Sequence, residues 1–415
     1  MDLGNIVGDI LPVSGGLMHR MFRVETDKGV YAVKCLNPEI MKRPGVLENY
    51  AKAERLEKLL EEKGLSVVPA LSFAGKKMQE EGGQYFYVYK WQEGSITDWN
   101  AITKEQCYIA GEIQGKIHAI DARVVEPEAP ELCEIDFRAY LKTAKEQGSP
   151  IAELLEESID LLEAAVIKLN DARKSLPLVM AVIDDDMDPK NVMWHEGKPY
   201  VIDLECLDYG NPIASSLNLA LQWAGTVNER YSEENLIAFF DGYLSAYDNS
   251  FRGYDSLFGI AYSWVEWLEY NVRRALGMEG NVSAEISLGE QEVKNTINRI
   301  RYLGSIEKEV CAVLKNKIAS VIDFSAVTAC GECCVGCGKK LSGECPGCIE
   351  ADGKVPEWAG SGRCKIHACA SDHGVQFCGL CEKFPCENIP KIIHWNPNIV
   401  NHLTKLRDTY RNRLT

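Results

Sequence analysis

The stretch AVIDDDMDPKNVMW, residues 181–194, sets Asp184, Asp185 and Asp186 side by side, with Asp188 two positions on and apolar residues at either end. Two carboxylates about 4 Å apart in a medium of effective dielectric about 20 repel by roughly 4 kcal/mol. Such a run is therefore either a solvated acidic turn or a place where a cation or a proton belongs. Spacing favours the second: Asp186 and Asn191 stand in D-x-x-x-x-N register, and YVIDLE places Asp203 at the end of the next strand. Phosphoryl transfer to a hydroxyl needs a carboxylate that orients the hydroxyl or takes its proton, together with oxygen ligands for magnesium. Asp186 suits the first task, Asn191 and Asp203 the second.

The elements that would position these groups begin upstream. GDILPVS, MFRVET and VYAVKCL read as strands, the last two joined by the turn Asp27-Lys28-Gly29, and QYFYVYKW reads as a further strand. Between them a charged helix is expected from Val46 to Lys63, with Leu56, Leu59 and Leu60 on one face. Lys34 sits among apolar strand neighbours, where a lysine needs an anionic partner, and Glu54 of the helix is a candidate to provide it. Ser14-Gly15-Gly16, between the first two strands, would let backbone N–H groups approach phosphate or would serve as a plain hairpin turn. After the linker Glu93-Gly94-Ser95 the pattern is helical to about residue 320, interrupted by a strand–turn–strand insert over 179–204.

Taken in order, SGG, YAVK, the helical Glu54, D-x-x-x-x-N and IDLE resemble the aminoglycoside phosphotransferase and choline kinase family, over roughly residues 5–320. The resemblance implies an α+β, two-lobed protein-kinase-like fold, with a β-rich N-lobe over 1–93 and a helical C-lobe over 94–323. It implies ATP and Mg2+ as cofactors and a small-molecule hydroxyl as acceptor. DMDPKNVMW is similar to the family's catalytic loop, which would make Asp186 the base and Asn191 and Asp203 magnesium ligands. Lys34 would hold the nucleotide phosphates with Glu54 as its partner, and Ser14, Gly15 and Gly16 would lie near them. Tyr89, Lys90 and Trp91 would form the hinge that meets adenine. One departure stands out: where the family commonly has histidine two residues before the base, this chain has Asp184. That substitution motivates an alternative reading, a weakly active or inactive nucleotide-binding adaptor.

The residues after Asp203 constrain the acceptor. IDLECLDYGNPIASSLNLALQW passes straight into an apolar helix, with little room for the long segment on which a substrate peptide docks. In AYSWVEWLEYNVRRAL, Trp264 and Trp267 recur with Glu266, Glu269 and Tyr270 at helical spacing. This is either an amphipathic core face or a site for a cationic acceptor.

Bulk composition narrows the partners. Forty-five Lys and Arg against 61 Asp and Glu give a net charge of −16, which disfavours nucleic acid and anionic membrane as partners. The N-terminal residues carry no basic-then-apolar leader pattern and no apolar run approaches a membrane span, so a cytoplasmic chain is expected.

The sixteen cysteines are unevenly distributed: eleven fall between Cys330 and Cys386. In a reducing compartment that density points to metal, and a third domain over 324–415 is expected. Its candidate zinc ligands are Cys330, Cys333, Cys334, Cys337, Cys345, Cys348, Cys364, Cys369, Cys378, Cys381 and Cys386, several in C-x-x-C pairs. So short a segment is expected to have little apolar core, which makes metal the expected source of its stability. Cys330, Cys334 and Cys337 also match the C-x-x-x-C-x-x-C spacing of radical iron–sulfur enzymes, without the βα array those need; a plain iron–sulfur cluster and a redox thiol switch are further readings. The segment resembles a bacterial cysteine-rich domain of undetermined function, so it implies no activity, though it would suit a protein partner.

Overall fold

The computed structural model describes residues 2–13, 18–120, 129–247, 251, 253–280, 282–318, 324–334, 338–393, 396 and 399–412. The chain divides into two compact units, one of residues 1–247 with 256–311, the other of residues 248–255 with 312–415.

The larger unit opens with a five-stranded antiparallel sheet. Its strands are β1 (Leu11–Val13), β2 (Arg20–Thr26) and β3 (Gly29–Cys35), then, after helix α1 (Val46–Glu62), β4 (Gln79–Glu81) and β5 (Gln84–Lys90). Their order is β1-β2-β3-β5-β4, so β3 is central, with Lys34 opposite Met21 on one side and Tyr87 on the other. The strands expected from sequence are present, and α1 ends within a residue of its expected limit. Its Leu56 and Leu60 are buried, whereas Leu59 is half-buried.

The rest of this unit is mainly helical. After β6 (Ser95–Ile96) come α2 (Lys104–His118), α3 (Phe137–Gln147) and α4 (Ile151–Lys174). A β insert comes next, made of β7 (Ala181–Asp184), β8 (Val192–His195), β9 (Lys198–Val201) and β10 (Leu207–Gly210). Helices α5 (Pro212–Trp223), α6 (Glu233–Ala246), α7 (Trp264–Ala275) and α8 (Ser283–Val313) complete it. The insert is richer than a single strand–turn–strand: β7 pairs with β10, and the β8–β9 hairpin adds β6 at its edge.

Helix α2 starts in a capping box, with the Thr103 side chain and Gln106 satisfying each other's backbone N–H groups. It then lies hard against α6. A Cβ at Gly111 would fall 2.0 Å from the Phe239 carbonyl oxygen, and one at Gly242 would fall 1.9 Å from that of Tyr108. The two helices approach at backbone distance because these positions lack side chains.

The smaller unit corrects an expectation. It has an apolar core of its own: Phe324, Val327, Phe377, Ile389, Ile393, Ile399, Leu403 and Leu406 are buried together, and Cys364 lies among them. Phe324 and Phe377 stack at 6.1 Å, with Tyr410 edge-on to both. Among the described residues, no three or more His, Cys, Asp or Glu side chains are grouped to hold a metal ion. The expected zinc ligation by Cys330, Cys333, Cys334, Cys345, Cys348, Cys364, Cys369, Cys378, Cys381 and Cys386 is therefore not supported, and Cys337 lies outside the described residues. Two of these thiols have hydrogen-bond partners nearby. Cys334 Sγ accepts the Cys348 N–H at 3.3 Å, and Cys330 Sγ is 3.2 Å from Thr328 Oγ1.

A buried histidine marks the α2–α6 contact. His118 is sealed from solvent, its Nδ1 is 2.9 Å from Tyr243 Oη and its Nε2 has no partner among the described residues. Burial pushes its pKa down to about 3, so the folded chain keeps it neutral while the unfolded chain protonates it below about pH 6.5. Its contribution to stability is thus present above pH ~6.5 and lost as pH falls towards ~3, at a slope approaching ~1.4 kcal/mol per pH unit. In urea titrations followed by tryptophan fluorescence, His118→Phe should show an acid-side slope shallower by one proton. Equal slopes would refute the assignment.

Candidate active site

The acidic stretch is a tightly tied loop between β7 and β8. Asp188 accepts the Lys190 N–H at 2.9 Å, capping a short helical turn over Pro189–Asn191. The Asn191 side chain turns back, its Nδ2 donating to the Asp186 carbonyl at 2.7 Å and to Asp186 Oδ2 at 2.9 Å. Lys190 Nζ reaches Asp186 Oδ1 at 3.0 Å and Asp188 Oδ2 at 2.6 Å. Asp186 is thus held at both oxygens by the D-x-x-x-x-N turn itself. From below, the fully buried Trp223 at the end of α5 donates its Nε1–H to the Met187 carbonyl at 2.9 Å.

Asp203 comes just after β9, with φ 62° and ψ 56°. This left-handed conformation costs an L-residue roughly 1–2 kcal/mol, though aspartate tolerates it better than most. It turns the carboxylate towards β3, where Lys34, 4% exposed, meets both Asp203 Oδ1 and, at 2.6 Å, Glu205 Oε2. Glu205 is itself braced: its Oε1 is 3.1 Å from His19 Nε2, which Tyr50 Oη approaches at 3.4 Å. A second tie, Lys52 to Asp208 at 2.6 Å, runs from α1 to β10.

The charges divide the carboxylates. Burial opposes the Lys34 charge, but Asp203 and Glu205 outweigh it and hold the lysine above its usual pKa. Burial also works against ionised Glu205, yet the His19 hydrogen bond and the Lys34 charge hold it down at about 2. Burial raises Asp188 to about 6 against the pull of Lys190. Asp184 is pushed well above the carboxylate range, first by burial and then by the neighbouring Asp186.

Not every expected residue joins this cluster. Glu54 does not meet Lys34: it accepts from Tyr87 Oη at 2.9 Å and the Met78 N–H at 3.1 Å, and Glu205 takes the partner position. The Trp91 N–H, expected at the hinge, is committed to the Val30 carbonyl at 3.0 Å, closing the sheet. Tyr89 and Lys90 are paired in the β3–β5 ladder. Ser14, Gly15 and Gly16 lie outside the described residues. On α7, Glu266 is bound to Arg173 at 2.8 Å, Glu269 accepts from Tyr140 Oη at 2.7 Å, and Trp264 carries the Arg299 guanidinium at 3.9 Å. That face serves the protein's own cations and hydroxyls. Beside it is a cavity of about 390 Å³ lined by Glu131, Glu134, Glu266, Glu269 and Arg173 together with residues 130, 132, 133 and 135.

Sequence reasoning passed over Glu205, His19 and Lys190. Glu205 was visible as the last letter of IDLE, two residues beyond Asp203. Lys190 was visible four residues after Asp186, the spacing at which opposite charges meet on one turn. His19 carried no signal, being 186 residues from its partner.

The sequence signature of the phosphotransferase enzyme family matches residues 9–257. Solved structures similar to the chain include a spectinomycin phosphotransferase in complex with ADP and spectinomycin, at 11% identity. The match covers 72% of this chain and 94% of that one, with a TM-score of 0.54. Another is an amicoumacin kinase in complex with AMP-PNP, Ca2+ and Ami, at 12% identity, covering 71% and 90% with a TM-score of 0.50. An ethanolamine kinase of Plasmodium vivax aligns at 14% identity over 69% and 81%, with a TM-score of 0.49. No curated protein sequence matches the chain. At such identities the structural likeness speaks for the fold, which is protein-kinase-like, with a sheet in the N-terminal region and helices in the C-terminal region. Since the signature spans more than half of the 415 residues, the chain belongs to the phosphotransferase enzyme family.

Proposed function

We propose that the chain is an ATP- and Mg2+-dependent kinase that phosphorylates a hydroxyl of a small, cationic acceptor. The observation that carries this reading is the convergence of Lys34, from the central strand of the sheet, on Asp203 and Glu205 beside the Asp186–Asn191 turn. Asn191, Asp203 and Glu205 offer hard oxygen donors. Two carboxylates and an amide suit magnesium, which keeps waters and substrate phosphates in its shell instead of a full protein cage. Bound there, the ion would neutralise charge on the nucleotide phosphates. Lys34 would hold those phosphates from the sheet side. Asp186, fixed at both oxygens, would orient the acceptor hydroxyl and take its proton as the oxygen attacks the terminal phosphorus and ADP departs. In the cavity beside α7, Glu266 is taken by Arg173 and Glu269 by Tyr140 Oη, so the negative charge of Glu131 and Glu134 is what supports a cationic acceptor such as an amino alcohol or amino sugar.

A panel of hydroxyl compounds, cationic and neutral, scored for ADP release tests the reading. Asp186→Asn should cut turnover on the best acceptor by about 10²–10⁴-fold, with nucleotide binding close to wild type. Turnover like wild type would remove Asp186 from the role of base. Lys34→Met leaves Asp203 and Glu205 facing each other without their shared cation. It should lower the stability of this unit by about 2–3 kcal/mol, below the ~3–5 kcal/mol of fully buried pairs because both carboxylates keep some exposure. ATP affinity should fall as well. A Lys34→Met chain that unfolds at the wild-type urea concentration and binds ATP unchanged would contradict the role given to this lysine.

A further inference from the structure

Asp184 is a carboxylate of the loop for which the proposed reaction has no use. It ends β7 at 1% exposure, one oxygen accepting the Asp186 N–H at 3.3 Å and the other, Oδ2, buried without a partner. Among the described residues no Lys, Arg or His lies within ion-pair distance of it. The ionisable groups that face it are themselves acids or a thiol: Asp185 and Asp186 on its own loop, Asp203 after β9, and Cys206 before β10. The nearby ammonium groups are committed elsewhere, Lys190 to Asp186 and Asp188, Lys34 to Asp203 and Glu205. β10, which pairs with β7, sets Leu207 opposite it.

We propose that Asp184 stands in the folded chain as a neutral carboxylic acid and is the positioning residue of the Asp186 loop. A carboxylate sealed from water with no cation and an empty acceptor oxygen is not sustained in a protein; the group takes up a proton instead. Burial and the Asp186 charge act in that direction. With the proton on Asp184, like-charge repulsion between it and Asp186 disappears. Oδ1 of Asp184 continues to hold the Asp186 backbone, so the base keeps its place without a buried negative charge behind it. The positioning role rests on the kinase reading; the proton does not.

The experiment uses the full chain as wild type, Asp184→Asn and Asp184→Leu. Protein labelled with ¹³C at aspartate carboxyls is studied by infrared spectroscopy at neutral pH, and ADP release is measured on the best acceptor of the panel. The wild-type-minus-Asp184→Asn spectrum should contain one protonated-carboxyl band; a carboxylate band in its place overturns the proposal. Asp184→Asn, which keeps the shape and the acceptor oxygen without charge, should retain kcat within about threefold, whereas Asp184→Leu should lose about 10²-fold in kcat with KM for ATP unchanged. Equal losses in the two variants, or none in Asp184→Leu, would overturn the positioning role. If Asp184→Leu does not fold, a large kcat loss in the folded Asp184→Asn chain refutes it by itself. A wild type that releases no ADP with any acceptor defeats the kinase reading, and the positioning role with it, while the infrared band still decides the proton.

Discussion

A single ammonium group governs the cleft. Lys34 comes from the middle of a five-stranded sheet and is almost wholly buried, and Asp203 and Glu205, 169 and 171 residues away in sequence, both close on it. A lysine buried on an apolar strand cannot be left without an anion, and two half-buried carboxylates held side by side repel each other without a cation between them. Each side therefore requires the other, and the sheet is fixed against the β9–β10 segment. The left-handed turn at Asp203, the His19–Tyr50 brace behind Glu205 and the Lys52–Asp208 tie serve to deliver the carboxylates to that point. On the kinase reading, Lys34 is not a vacant phosphate site: a nucleotide would have to draw it from Glu205, which the bond to His19 would still hold.

The loop between β7 and β8 meets its own crowding in a different way at each position. Asp188 is paired with Lys190 and caps the turn. Asp186 is held from Asn191 on one oxygen and Lys190 on the other. Asp184 is buried, where charge is least tolerated. The repulsion that makes the run conspicuous in sequence is thus relieved at Asp186 and Asp188 by one cation and one amide, while at Asp184 burial disfavours the charge itself. Trp223 and the β10 ladder hold the backbone, which makes the arrangement specific to this turn. The same residues would not keep it in an open loop.

Much of this was legible because the informative residues are ordered along the chain and carry strong local chemistry. Lys34 stood alone among apolar residues, Asp186 and Asn191 kept a fixed register, and Asp203 closed an apolar strand. Pairing was less legible. Glu54 was a reasonable partner for Lys34 on helix position, but its carboxylate faces Tyr87 and Met78, a difference set by how α1 rotates over the sheet. Glu205 could not be distinguished from Glu54 by sequence alone, since both are acids next to apolar positions; His19, far upstream, selects it.

The cysteine-rich segment has an apolar core that its sequence does not announce. Cysteine counts suggest metal when a short chain has too few apolar residues to build a core. Here the apolar residues are present but dispersed, in Phe324, Val327, Phe377, Ile389, Ile393, Ile399, Leu403 and Leu406, with no periodic run to announce them until the last helix. They meet only because Phe324, Phe377 and Tyr410 stack from three separate stretches of chain. Cysteine is itself among the most readily buried side chains, and Cys364 behaves as one more apolar member. Density of a ligand type in sequence therefore measures what a segment could bind, while the distribution of its aromatic and aliphatic residues decides whether it must.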